Sequence, residues 1–389
     1  MSEGKHLLVL HQAYVAGGAE LTTKHMLAGI EREQFSRVSL ICPQVMTDYW
    51  TQGYDQWIDS APLCLAGWFD TPARLWRDAQ ALSRVLRGQK PTLAIGMMQY
   101  TSAVLALAIR MAGTQTRLLA SYRGPAFEHL KHFEPSRWRR AWISTAICAT
   151  SHAADAVTMP SQGTASELTR HCRVPARKMH IIYNGIDFED TQRRCAQPIQ
   201  LPLALCDGTP FAVIASRLSE EKRLDWVIQA LTKIPAESPL KLLVLGDGSS
   251  RAELEALCTQ RGVSERVIFL GHISDTLPYV ARASMFIHTC QYEGFGYSIL
   301  EALACGTPVI ATDCPYGPRE VLDKRGSEGL AGLLVPMNDD AALSTTMNQL
   351  SLNNGLRKKF IALGLLRAQE LTLERMQTEH RRIMQNIIA

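Results

Sequence analysis

The chain has 389 residues, 46% of them hydrophobic and 20% charged, with a formal net charge of +4. That length exceeds what one hydrophobic core usually supports, so two domains of nearly equal size are expected, and the ordinary composition leaves no room for a long disordered tail. So small a charge carries no signal for nucleic acid, which is not an expected partner, although it suits anionic ligands or an anionic membrane surface.

At the amino terminus, Met1 to His6 runs straight into four apolar residues, Leu7 to Leu10, too short a stretch for the hydrophobic region of a signal peptide. β-rich runs at His6 to Gln12, Arg37 to Pro43, Pro62 to Ala66, Leu93 to Met98 and Arg117 to Tyr122 alternate with helical stretches, the pattern of a parallel sheet with crossover helices. The apolar run nearest to bilayer length, Ala103 to Ile109, is stopped by Arg110, so no integral membrane protein is expected. After Ile181-Ile182-Tyr183-Asn184-Gly185 and a polar stretch to Leu201-Pro202 the pattern restarts, with Phe211 to Ala215, Lys241 to Leu245, Val267 to Leu270, Met285 to Thr289 and Val309 to Thr312. The tail from Leu365 to Ile388 reads as helix with Glu370, Glu374, Arg375, Arg381 and Arg382 on polar positions. The expected fold class is α/β, with two Rossmann-like, doubly wound parallel-sheet domains at 1–190 and 191–364 and a cleft between them, followed by a helix over 365–389. None of the ten cysteines forms a Cys-x-x-Cys unit, and Cys42, Cys64, Cys148 and Cys290 lie in apolar stretches, so reduced thiols in a cytoplasmic protein are expected.

Three segments carry chemistry. The first strand leads into Gly17-Gly18-Ala19-Glu20 ahead of the helical pattern Leu21 to Ile30; paired glycines let backbone approach a ligand and amides at a helix start favour phosphate, though such a loop also serves as a plain turn. Ala215 to Lys222 follows a strand and precedes the helical stretch Leu224 to Leu231, placing Arg217 and Lys222 where they can neutralise a leaving diphosphate or form an ordinary charged turn. The third segment runs from Glu293-Gly294-Phe295-Gly296-Tyr297-Ser298 through Glu301 to Pro308. Its glycines hold Glu293 in a loop, facing a sugar. Glu301 lies a turn into the following helix, facing a ribose, and the amides near Tyr297 and Ser298 point at phosphate.

With these residues in place the chain resembles the retaining glycosyltransferases of family 4, from Gly17-Gly18-Ala19-Glu20 through Tyr183-Asn184-Gly185-Ile186-Asp187 to Pro308. The resemblance implies the GT-B fold, with an acceptor-binding first domain, a nucleotide-sugar donor domain second, and a last helix returning to the first. It implies that Glu293 contacts donor-sugar hydroxyls, that Glu301 binds ribose, and that Arg217 and Lys222 hold the diphosphate. Leu245-Gly246-Asp247-Gly248 is similar to the family's turn beside the nucleotide and Gly271-His272 to the segment lining the base pocket; both also occur as plain turns. The expected donor-binding set is Gly17, Gly18, Gly246, Asp247, His272, Phe295, Gly296, Tyr297, Ser298 and Glu301, and the expected catalytic set is Arg217, Lys222, Glu293 and Arg123. Family members often carry a histidine after a first-domain strand near the reacting sugar, where this chain has Tyr122-Arg123-Gly124-Pro125; Arg123 either takes that polar role or pairs with a phosphate or a carboxylate such as Glu128. Retention of anomeric configuration by front-face attack is implied. No Asp-x-Asp pair follows a strand and no histidine or cysteine spacing suggests zinc, so neither metal nor cofactor is expected.

The expected reaction moves a hexose or N-acetylhexosamine from a nucleotide diphosphate sugar, with UDP the preferred base, to a glycan or glycolipid acceptor. Asp313-Cys314-Pro315-Tyr316-Gly317-Pro318-Arg319-Glu320 resembles bacterial members that build lipopolysaccharide, capsule or exopolysaccharide. Aromatics at Tyr49, Trp50, Tyr54, Trp57, Trp68 and Phe69 either stack on acceptor sugars or pack the core. The stretch Arg137-Trp138-Arg139-Arg140-Ala141-Trp142 offers a foot on the anionic cytoplasmic face of the inner membrane or a solvated basic helix face. The alternatives are a non-catalytic nucleotide-sugar-binding protein and a sugar-nucleotide epimerase on the same fold. A dinucleotide oxidoreductase fits poorly, because Gly17-Gly18 lacks the Gly-x-Gly-x-x-Gly spacing.

Overall fold

The computed structural model describes residues 4–12, 17–46, 49–50, 52–61, 68–323 and 329–389. The chain forms two compact units, the first comprising 1–185 with 373–389 and the second 186–372.

The first unit is a seven-stranded parallel sheet of order β3-β2-β1-β4-β5-β6-β7. Its strands are β1 (His6–His11), β2 (Arg37–Cys42), β3 (Gln56–Asp59), β4 (Leu93–Met97), β5 (Arg117–Ser121), β6 (Ala156–Met159) and β7 (Met179–Ile181). The crossovers are helices α1 (Gly18–Ala28), α2 (Pro72–Gln89), α3 (Gln99–Ala112), α4 (Ala126–Phe133), α5 (Arg137–Ala153) and α6 (Gln162–Cys172). Every residue of β1 and β4 is buried, which is why these strands read as continuous apolar runs. Local capping sets the helix starts: Thr71 accepts from the amide of Arg74 with Pro72 at the first position of α2, and Ser136 accepts from Arg139 at the start of α5.

The second unit is a six-stranded parallel sheet of order β10-β9-β8-β11-β12-β13. It contains α7 (Phe188–Cys195), β8 (Phe211–Ala215), α8 (Leu224–Thr232), β9 (Lys241–Leu245), α9 (Arg251–Gln260), β10 (Val267–Gly271), α10 (Leu277–Val280), β11 (Met285–His288), α11 (Tyr297–Ala304), β12 (Val309–Thr312), α12 (Pro318–Leu322), β13 (Leu333–Val335), α13 (Asp340–Leu352) and α14 (Asn354–Glu370). The tail is not one helix. Leu371 leaves α14 so that its carbonyl accepts from the amide of Ile186 at 2.9 Å, and the chain restarts as α15 (Leu373–Ile388). On α15, Met376, His380, Ile383 and Met384 follow helical spacing and are buried, and the three apolar ones join the cluster of Leu7, Val9, Met26 and Ile95 in the first unit.

Several expectations change. The boundaries fall at 185/186 and 372/373 rather than 190/191 and 364/365. The run at 62–66 lies outside the described residues, while β3 precedes it, and the short strands β6, β7 and β13 escape a pattern reading that needs longer runs. Cys148 is not a reduced thiol: it is bonded to Cys172, tying α5 to the end of α6. Cys42 and Cys290 are buried free thiols, and Cys64 lies outside the described residues. Among the described residues no helix is long and apolar enough to cross a membrane.

Candidate functional site

In the second unit strand order reverses between β8 and β11, the position at which open α/β sheets bind ligands beyond the strand carboxyl ends. The loops leaving these two strands are joined there. The amide of Gln291 donates to the carbonyl of Glu221 at 2.8 Å, and Thr289 Oγ1 donates to the carbonyl of Lys222 at 2.9 Å. This brings Lys222 Nζ within 2.8 Å of Glu293 Oε2, while the amide of Gly294 donates to Glu293 Oε1 at 2.9 Å. Backbone bonds to Pro315 and Tyr316 fix Glu293 from the other side.

His288, at the end of β11, completes the cluster with Nε2 3.4 Å from Glu293 Oε2. Burial opposes every charge here, and the pairing overrides it: Lys222 is held above the ordinary lysine range by Glu293, and Glu293 below the ordinary carboxylate range by Lys222 and His288. For His288 burial is likewise outweighed, by the neighbouring Cys290 sulphur and the Glu293 carboxylate, so its affinity for a proton rises. Lys222 and Glu293 thus form a mostly buried ion pair with the His288 ring beside it. Arg217 lies in the same loop as Lys222, its side chain 70% exposed and 3.7 Å from Glu221.

Glycine is required where this site meets the neighbouring strand ends. Gly246 has φ of +141° and a Cβ there would lie 1.9 Å from the carbonyl oxygen of Ser216; at Gly248 it would lie 2.3 Å from that of Leu218. The turn after β9 therefore lies directly against the Ser216–Leu218 backbone, locked by Leu218 donating to the carbonyl of Asp247 at 3.0 Å. The Asp247 side chain is held by the Gly248 amide and Arg251, which depress its proton affinity, and the exposed His272 adds to that effect.

Gly296, at φ of +95°, opens α11, and no side chain caps the helix. Its first amides, at Tyr297 and Ser298, carry the positive end of the helix dipole. Phe295 is buried and does not face solvent, and its backbone passes so close to Gly317 that a Cβ there would lie 2.6 Å from the Phe295 carbonyl oxygen. Glu301, one turn on, is half-buried, and among the described residues no hydrogen bond or ion pair engages its carboxylate. Burial pushes its carboxyl up to about 7, with Arg194 nearby drawing it down. Arg194 itself is forked onto Asp275 at 3.0 and 2.9 Å.

In the first unit, Gly17 precedes α1, which begins at Gly18, and the loop before it at 13–16 lies outside the described residues. Glu20, in the first turn, lies 3.4 Å from His11 Nε2 at the end of β1. Arg123 follows β5 and is buried. Nη2 donates to Ser121 Oγ at 2.6 Å and to His380 Nε2 at 3.2 Å, whereas Nε and Nη1 have no partner among the described residues. Pairing with Glu128 does not occur, because Glu128 faces Lys131 and His132. Burial lowers Arg123 to about 10, and burial with the Arg123 charge lowers His380 to about 3, leaving His380 neutral with Nδ1 donating to the carbonyl of Met376. Among the described residues this buried guanidinium thus keeps two donors without an acceptor.

The aromatics divide. Trp50 and Phe69 are core residues, Tyr49, Tyr54, Trp57 and Trp68 pack on core clusters, and Trp138 on α5 is 87% exposed. Sequence reading missed His288 and Cys290, although residues two apart in an extended segment share a face, and it missed the Arg194–Asp275 pair near Glu301.

A family profile described as Glycosyltransferase Family 4 matches residues 16–190, and one described as Glycosyl transferases group 1 matches 202–364. Over 257 residues the chain is 27% identical to the N-acetylgalactosamine-N,N'-diacetylbacillosaminyl-diphospho-undecaprenol 4-alpha-N-acetylgalactosaminyltransferase of Campylobacter jejuni, covering 66% of each chain. It is 33% identical over 155 residues to a lipopolysaccharide core biosynthesis glycosyltransferase of Rhizobium meliloti, covering 40% of this chain and 43% of the relative. The chain thus spans about two thirds or less of the curated relatives it matches. Its fold is that of Anabaena HepE in complex with UDP-glucose, with a TM-score of 0.77 at 19% identity over 98% of this chain and 99% of the other. It is also that of WaaG, a glycosyltransferase involved in lipopolysaccharide biosynthesis, with a TM-score of 0.69 at 15% identity over 98% and 99%.

Proposed function

The chain belongs to glycosyltransferase family 4, and we propose that it moves a hexose or N-acetylhexosamine, with retention, from a UDP-sugar to a glycan or lipid-linked acceptor in bacterial surface-polysaccharide synthesis. The observation that carries this reading is the meeting of Lys222, Glu293 and the start of α11 at the β8–β11 reversal, where the lysine and the positive end of the helix dipole suit a sugar diphosphate. UDP is favoured as the base because a protein of the same fold has been seen with UDP-glucose. A lipid diphosphate acceptor follows the Campylobacter jejuni relative, whose name specifies one.

In this mechanism Arg217 and Lys222 hold the diphosphate and offset the charge that grows on it as the glycosidic bond breaks. Glu293, oriented by Lys222 and His288, accepts from donor-sugar hydroxyls, and Glu301 accepts from the ribose. Asp247 and His272 flank the base, and the amides of Gly296, Tyr297 and Ser298 meet the phosphates. Gly17 and Gly18 at the start of α1 give a second phosphate-facing helix end. Arg123 serves the leaving phosphate or a phosphate on the acceptor, the role its idle donors suit. With cations fixed in the protein, transfer needs neither metal nor cofactor. The exposed Trp138 and its neighbouring arginines rest on anionic lipid at the cytoplasmic face of the inner membrane.

The test is turnover of UDP-glucose, UDP-galactose and their N-acetyl counterparts with polyprenyl diphosphate-linked saccharides, in the presence of a chelator. Transfer of an α-linked sugar supports the proposal. Donor binding without transfer to any acceptor favours a binding-only protein, and interconversion of UDP-sugars without an acceptor favours an epimerase.

A further inference from the structure

His288, Cys290 and Glu293 bring a ring nitrogen, a thiol sulphur and a carboxylate oxygen within 4.8 Å of one another at the end of β11. His288 Nε2 is 3.4 Å from Cys290 Sγ and 3.4 Å from Glu293 Oε2. A tetrahedral zinc site with bonds of about 2.3 Å to sulphur and about 2.0 Å to nitrogen and oxygen sets its ligand atoms about 3.5 Å (S to N) and about 3.3 Å (N to O) apart. His288 Nε2 already stands at those separations from both other groups, and the third pair, Cys290 Sγ and the Glu293 carboxylate, lies within 4.8 Å. His288 is 4% exposed and Cys290 fully buried, and His288 Nδ1 lies 3.3 Å from Ser298 Oγ, an outer partner that turns Nε2 towards the other two. Cys314 Sγ, 3.3 Å from Cys290 Sγ, adds a further soft donor beside the cluster.

We propose that His288, Cys290 and Glu293 form a binding site for a thiophilic divalent cation of the zinc class, and that its occupancy suppresses sugar transfer. On binding, the Cys290 thiol and a protonated His288 lose their protons to solvent, sulphur and nitrogen bond the metal, and Glu293 exchanges its contact with Lys222 for a metal–oxygen bond. Lys222 is then freed from Glu293, and Glu293 is withdrawn from the donor sugar. This second half rests on the transferase reading given above, whereas the metal site does not.

Cobalt(II) titration of the 389-residue chain tests the site without reference to activity. One equivalent is expected to give a tetrahedral visible spectrum with a thiolate-to-cobalt charge-transfer band, displaced by zinc, lost in Cys290→Ser and weakened at least tenfold in affinity in His288→Gln. The exposed Cys206→Ser variant is expected to keep the band. Absence of the band in folded wild type, or its persistence in Cys290→Ser, overturns the site. Stoichiometric zinc is expected to lower turnover at least tenfold in wild type and not in Cys290→Ser, with recovery on chelation. A metal-loaded protein that transfers sugar at the unchanged rate overturns the regulatory half alone, and a protein that shows the band but no transferase activity overturns the earlier reading while leaving the site standing.

Discussion

Lys222 Nζ lies 2.8 Å from Glu293 Oε2, and this contact joins the loop after β8 to the loop after β11. Removing one partner strands a mostly buried charge, so Lys222→Ala is expected to destabilise the fold by about 3 kcal/mol. The double variant Lys222→Met/Glu293→Gln recovers most of that stability while transfer stays at least a hundredfold down. Chemical denaturation of both variants beside their turnover checks this, and a single variant as stable as wild type would contradict it.

Glu301 gives a pH dependence. Its folded carboxyl is raised to about 7 by burial, so the charged form is disfavoured in the free protein, and its contribution to stability falls as pH rises from the ordinary carboxylate range through about 7. A ribose that donates hydrogen bonds to the carboxylate favours the charged form. Nucleotide affinity is therefore expected to rise up to tenfold per pH unit below about 7 and to level off above it. Calorimetric titrations from pH 5.5 to 8.5, with buffer-corrected proton release, read the slope, and Glu301→Gln should flatten it.

Arg123 is held at a cost to the fold. With Nε and Nη1 unpartnered in a buried site, Arg123→Met is expected to stabilise the protein by about 1 kcal/mol, because an apolar side chain replaces an uncompensated charge. The same change should lower transfer at least tenfold if an anionic substrate supplies the missing partner. Thermal unfolding and turnover of one variant then move in opposite directions; a destabilised Arg123→Met variant would show that the guanidinium serves the fold alone.

The turn at Gly246 can be tested by adding one carbon. With φ of +141° and the Ser216 carbonyl 1.9 Å from the added Cβ, Gly246→Ala is expected to cost about 2 kcal/mol or more and to displace Arg217. Gly208→Ala, also at positive φ but with open space around it, is expected to cost only about 1 kcal/mol. Equal unfolding midpoints for the two variants would contradict the packing described.

The long buried strands and the glycine-framed loops were legible in the sequence, because a parallel sheet covered on both faces needs continuous apolar runs and a helix start needs φ values that glycine adopts. Arg217, Lys222 and Glu293 were legible as loop residues, but their joining was not: Lys222 and Glu293 are 71 residues apart, and only the strand order that sets β8 beside β11 brings them together. The disulfide between Cys148 and Cys172 was hidden for the same reason, since the two helices that carry it pair through tertiary packing. His288 and Cys290 looked like strand residues. Their shared side of an extended segment becomes a cluster only because Glu293 folds back over them.

The measurement that bears most directly on the central claim is calorimetric titration of UDP, GDP and ADP, with a chelator present, into the wild-type protein and Glu301→Ala. One-site binding selective for UDP, weakened at least tenfold in Glu301→Ala, is the predicted result. A folded wild type that binds no nucleotide diphosphate, or binds one equally well without Glu301, would contradict the placement of a nucleotide-sugar donor at the β8–β11 reversal.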